Sequence, residues 1–323
     1  MTFVRLRTAV PAALALAAAA AFVPGTAQAA AAPALVPVGA GELVPLLATS
    51  SDAVTYVGDE AEQAASATAA RTATFKVNYT NFSPAAKAAF QRAVNVWSTQ
   101  VRSSVPIVIN ASYRPLGTGV LGSAGSNKIW QNNSTKTLYV DALANKLVGN
   151  QLDPSADIIA NFSSSFDNWY FGTGKAPKGT YDFQSVVTHE IGHGLGFLGG
   201  GRVSGGTGSV AFSGFAFGYD KAVENGAGKK ILSFPNSSAA LKSQLTGGSL
   251  FFDSPAVRNN NGGKPARLYA PRTWNQGSSY SHLDEATFRP GNVNSLMTPQ
   301  LGDGETIRTP GKITKAIFTT IGW

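Results

Sequence analysis

Apolar and polar positions alternate at Phe75, Val77 and Tyr79, which predicts a short strand just beyond Arg71. Ser83-Pro84 follows, a capping side chain and a proline suited to the first helical position. Phe90, Ala93, Val94, Trp97 and Val101 then recur at spacings of three and four, the signature of a helix with one buried face. Residues 105–113 return to strand alternation through Ile107 and Ile109. Pro106 has no N–H to donate, so it marks the start of that strand or a sheet edge. Further strands are predicted at 137–141 and 157–161, and a helix over 181–198. After three glycines at 199–201 the pattern dissolves into a turn-rich stretch, with short helices predicted near 219–225 and 237–246. The series predicts an α+β fold class: a mixed-sheet N-terminal lobe (71–198), an insertion (199–276) and a smaller C-terminal lobe (277–323).

Two segments precede that domain. Arg5 and Arg7, an alanine- and leucine-rich run and Ala27-Gln28-Ala29 have the three-part layout of a secretory signal peptide over 1–29. The apolar run is too short and too rich in alanine for a membrane anchor, so a secreted, extracellular protein is expected. Residues 30–70 contain Glu42, Asp52, Asp59, Glu60 and Glu62, no lysine or arginine, and much Ala, Pro, Val and Ser. That composition predicts a prosegment or flexible leader. The domain from residue 71 onward carries 24 bases against 13 acids, so its net charge of +11 exceeds the +8 of the whole chain. Its bases are scattered, with no run longer than Lys229-Lys230 and no interleaved aromatic motif, so no nucleic-acid partner is expected. A solvated or wall-associating surface and a monomer are expected instead. There is no cysteine, which removes both disulfides and thiolate metal ligands.

The chemistry is concentrated in His189-Glu190-Ile191-Gly192-His193. On a helix, residues four apart lie about 40° apart on one face, so both histidines can reach one ion. Phe183, Val187, Ile191 and Leu198 fall on the other side, free to bury. Glu190 is offset, placed to act on a water rather than on the ion. Zinc lowers the pKa of water to near 7, and a carboxylate can take its proton as it attacks a peptide carbonyl. A catalytic zinc of this kind needs a third protein ligand and an open position. The chain has three histidines, so His282 is the natural candidate, with Asp220 and Glu224 as carboxylate alternatives.

The run HEIGHGLGF (residues 189–197) resembles the start of the metzincin motif HExxHxxGxxH, with Gly196 as its glycine. The strict motif would put its third histidine at Gly199, which excludes the simple astacin or matrixin pattern. The chain is instead similar to leishmanolysin-like metzincins, in which a long insertion separates the glycine from that histidine. Asn294-Ser295-Leu296-Met297-Thr298-Pro299 resembles a Met-turn, and Met297 is the only methionine besides the initiator. The closing segment, ending in Ile321-Gly322-Trp323, is similar to the end of bacterial secreted peptidases. The resemblance spans about residues 71–323, but its motifs occupy only 181–198 and 279–299. It implies His189, His193 and His282 as ligands of one catalytic Zn2+, Glu190 as general base and Met297 beneath the metal. It also implies two lobes with a cleft between them, where a protein or peptide substrate lies extended along an edge strand. Pro299 stands where some metzincins carry a tyrosine, so no tyrosine is assigned a role. Latency through cysteine is impossible, and the acidic leader raises the expectation that Asp52 or Asp59 covers the metal. The expected function is a secreted zinc endopeptidase. The same motif also admits a non-catalytic wall-associated binding protein and a zinc amidase acting on cell-wall peptides.

Overall fold

The computed structural model describes Met1 and residues 32–51, 53–58 and 68–323. The expected signal peptide beyond Met1, and both Asp52 and Asp59, lie outside the described residues. Residues from Ala32 to Trp323 form one compact unit. Its first nine strands in order are β1 (Leu35–Gly39), β2 (Val44–Thr49), β3 (Thr55–Val57), β4 (Phe75–Thr80), β5 (Ile107–Arg114), β6 (Val120–Ser126), β7 (Ile129–Asn132), β8 (Thr137–Val140) and β9 (Ile158–Ser163). Helix α1 (Pro84–Gln100) joins β4 to β5, α2 (Asp141–Val148) follows β8, and α3 (Phe183–Gly194) carries the two histidines.

The expected α1 forms for the expected reasons. Ser83 Oγ accepts from the N–H of Ala86 at 3.2 Å, Pro84 opens the helix, and Phe90, Ala93, Val94 and Trp97 are buried. A helical crossover permits parallel pairing, and β4, β5 and β9 are indeed parallel neighbours. β5 is therefore internal, so Pro106 marks its start rather than an edge. β6 pairs antiparallel with β9 on one side and with β2 on the other. The strand Gln300–Gly302 completes this six-stranded sheet, running parallel to β2. Helices α1 and α3 are locked together where Trp97 Nε1 donates to the Thr188 carbonyl at 2.8 Å. Phe162 from β9 meets Phe90 of α1 and Phe183 of α3 at centroid distances of 5.6 and 5.3 Å, which fills the space between sheet and helices.

The expectation of a flexible leader over 30–70 is corrected for its described part. β1 pairs with β7, β2 lies inside the central sheet, and β3 pairs with the strand Glu305–Ile307. Val44 and Leu46, two apart on one face of β2, are buried. Pro45 and the acidic surroundings hide that alternation in the sequence. The predicted helix 181–198 is shorter, because residues 181–182 pair with Trp169–Tyr170 and Gly194 ends the helical run. In the insertion, helices occupy Gly218–Ala222 and Ala239–Leu245, while residues 223–225, expected as helix, pair as a strand with Leu250–Phe252. The chain closes with the helix Lys312–Ile321. Several sheets and separate helices make a mixed α/β architecture, compatible with the expected α+β class. Among the described residues no helix is long and apolar enough to cross a membrane.

Candidate metal centre

Helix α3 is held at both ends by specific contacts. Asp182 is its N-cap, accepting from the Ser185 N–H at 2.9 Å. The same carboxylate receives Arg308 Nε at 2.9 Å and Nη2 at 2.6 Å, a two-pronged ion pair with both side chains fully buried. At the far end the chain reverses at Gly196, where φ is +111°. The Gly196 N–H donates to His193 O and the Phe197 N–H to Gly192 O, both at 3.0 Å. This reversal carries the Phe197 carbonyl back to within 2.7 Å of His193 Nδ1.

That contact is one of three alike. His189 Nδ1 lies 2.6 Å from Leu296 O, and His282 Nδ1 lies 2.8 Å from Ser278 O. A carbonyl only accepts, so all three rings carry their proton on Nδ1. Burial is the main cause that pushes His189 down to about 3 and His282 to about 4, and it holds His193 well below its ordinary value. The rings are neutral, and each Nε2 presents a bare lone pair. These three Nε2 atoms lie 2.9, 3.1 and 3.3 Å from one another. Without a proton among them they cannot hydrogen-bond, and mutual lone-pair repulsion is costly unless a cation draws them together. Tetrahedral ligands about 2.1 Å from zinc would stand roughly 3.4 Å apart, a little more than the spacing found. The buried cluster His189, His193 and His282 can hold a metal ion.

Gly199 cannot serve in the strict motif position, because a Cβ there would overlap the Tyr280 ring and crowd Asp220. Tyr280 fills that space two residues before His282, and its carbonyl accepts from Tyr219 Oη at 3.0 Å. Asp220 accepts from the Gly200 and Phe217 N–H groups, each at 2.9 Å, so it stabilises the turn instead of joining the cluster. Glu224 faces Lys230 at 3.3 Å. Neither carboxylate alternative meets the histidines. Met297 ends the 3-10 turn Ser295–Met297, and a Cβ on Gly192 would lie 2.9 Å from its sulfur. The turn thus packs under the helix between the two histidines, and its Leu296 carbonyl fixes the His189 tautomer.

Glu190 is fully buried, and neither carboxylate oxygen has a hydrogen-bond partner. Burial raises its pKa well above the usual carboxylate range, while the nearby N–H groups of Leu46 and Ala124 offset part of that rise. Those N–H groups approach the carboxylate without reaching hydrogen-bond geometry. A Cβ on Gly122 would lie 3.0 Å from Glu190 Oε1, so a glycine on β6 is what lets the carboxylate sit against the sheet. A cation at the three nitrogens would favour the charged carboxylate and oppose the effect of burial. Sequence reasoning did not find Asp182 and Arg308 as the support of α3, because the two residues are 126 positions apart. Nor did it find Leu46, which lies in a segment read as leader.

No protein-family model matches the chain, and comparison with curated proteins finds no match.

Proposed function

We propose that the protein is a secreted zinc endopeptidase of metzincin type, leishmanolysin-like in its long insertion, with Met297 in the Met-turn and a cleft between two lobes. One observation carries this reading: three neutral imidazoles turn bare Nε2 atoms toward one point beside an unpartnered buried carboxylate. All-nitrogen ligands without thiolates suit zinc. When bound, zinc supplies Lewis acidity, polarising a peptide carbonyl and making water a stronger acid. The chain's own residues do the rest. His189, His193 and His282 hold the ion, and their Nδ1 hydrogen bonds fix ring orientation. Glu190 takes a proton from the attacking water and returns it to the leaving amine. The buried surroundings exclude bulk water and strengthen these interactions.

Glu190→Ala is the direct test. We expect one zinc per chain in both proteins and a fall in casein hydrolysis of at least ~100-fold in the variant. Hydrolysis that survives the substitution, or that persists after zinc is chelated, would overturn the mechanism. Hydrolysis of cell-wall peptides with casein untouched would assign the amidase reading instead.

A further inference from the structure

A catalytic site must be reached by its substrate, yet His189, Glu190, His193 and His282 are each at most 1% exposed. A single strand lies across the approach. β2 meets β6 antiparallel, with Val44 opposite Ala124 and Leu46 opposite Gly122. On its other side β2 meets residues 300–302 in parallel, with Gln300 opposite Leu47. Both flanks belong to the metal site. Gly122 is where the Glu190 carboxylate rests, and residues 300–302 follow directly on the turn of Met297. The Leu47 N–H donates to the Pro299 carbonyl at 3.2 Å. Directly opposed residues of an antiparallel pair share a face. Leu46, 2% exposed, therefore projects on the side of the sheet that carries α3 and Glu190. From the third side, a Cβ on Gly277, five residues before His282, would lie 2.7 Å from Pro45 Cδ. Without β2, the edge of β6 beside Glu190 and the backbone of 299–302 beyond the Met297 turn would face each other. Such a slot fits one extended chain running antiparallel to β6.

We infer that β2, paired antiparallel with β6, is an internal occupant of the substrate cleft, and that the full-length chain is latent until this strand is displaced. The latency is main-chain occupancy and needs no contribution from Asp52 or Asp59. The inference rests on the proposed function for what the cleft binds, but not for the strand's covering role. The occupant also shows what the cleft reads. Leu46 is a buried aliphatic side chain beside Glu190. Glu42, four positions earlier, is paired with Arg202 at 3.1 Å and with the Gln276 amide. The pair is half-exposed, so it adds a small part of the segment's hold as well as selecting among segments. The substrate class is an extended peptide with an acidic residue four positions before an aliphatic one.

The test uses the full chain loaded with one zinc. Leu46→Asp puts a charge on the buried side of β2 and loosens its seat. Two rates are compared with wild type: zinc removal by 1,10-phenanthroline and casein hydrolysis. Zinc removal and hydrolysis should each rise at least ~10-fold. A synthetic peptide spanning residues 40–50 should reverse the gain in hydrolysis. A folded variant whose zinc leaves at the wild-type rate overturns the inference, whether hydrolysis is unchanged or lost. Faster zinc loss with no hydrolysis by any form supports the covering role and sinks the peptidase reading instead. Should Leu46→Asp fail to fold, Glu42→Lys decides, since it breaks only a half-exposed pair. Zinc should leave that variant faster than wild type, and the double variant Glu42→Lys/Arg202→Glu should restore the slow rate. Equal rates in all three proteins would overturn the inference.

Discussion

An imidazole whose Nδ1 proton is committed to a carbonyl has only a lone pair to offer on its other side. Three such rings aimed at one point leave little doubt about which residues a metal would choose. His282→Ala should lower bound zinc from one per chain to less than about a tenth, measured by elemental analysis after dialysis. Asp220→Ala should retain the zinc. It should still cost about 1–3 kcal/mol in urea unfolding, because two backbone N–H groups lose their shared acceptor. The opposite pattern would make Asp220 the third ligand. At this scale the sequence was most legible where chemistry is local. The spacing of His189 and His193 needs only the helix period, and Gly196 needs only a reversal. The clash between a side chain at 199 and Tyr280 was not legible, because it joins residues 81 positions apart in a loop with no periodic pattern.

At the scale of elements, α3 depends on a partner far along the chain. Asp182 both caps the helix and forms a fully buried pair with Arg308. Arg308→Met would leave that carboxylate buried and uncompensated, so we expect a loss of about 3–5 kcal/mol. Guanidinium unfolding would measure it, and a change below ~1 kcal/mol would show the pair to be dispensable. Strand β4, helix α1 and strand β5 could be read from the chain because one face of each is apolar and at least half-buried while the other is more exposed. β6, with the sequence Val-Leu-Gly-Ser-Ala-Gly-Ser, carries no such alternation. Its glycines and alanine are explained by what lies opposite, the Glu190 carboxylate at Gly122 and the buried Ala124 against Val44. A residue chosen for its neighbour's size leaves no periodic trace.

Across the molecule, the N-terminal and C-terminal segments meet in a seam where β2 and β3 pair with residues 300–302 and 305–307. Glu305 is buried behind that seam and accepts from the Gly302 N–H at 3.0 Å. Burial pushes it up to about 7, and Glu285, raised to about 7 by burial and by Glu305, lies nearby. The folded protein therefore keeps a proton that the unfolded chain releases above about 4.3. The stability contributed by protonated Glu305 is complete below that value and is lost as pH rises through 7. Glu305→Gln should raise the melting temperature of the metal-free protein more at about pH 8 than at about pH 5, whatever its effect at either pH alone. A difference independent of pH would show that Glu305 is ionised in the fold.

The same seam has a consequence for timing. His282 comes 89 residues after His193, the Leu296 carbonyl that orients His189 comes later still, and residues 300–302 flank β2 near the end of the chain. A growing chain with its first two histidines already made has neither the third ligand nor the turn that sets the first. The proposed hydrolytic site is completed only when the last portion has emerged. By then β2, made long before, is available to fill the proposed cleft as it forms. On the proposed function, synthesis order would give two successive safeguards, an incomplete site followed by an occupied one. A chain ending at residue 276 should accordingly bind no zinc at the His189–His193 pair.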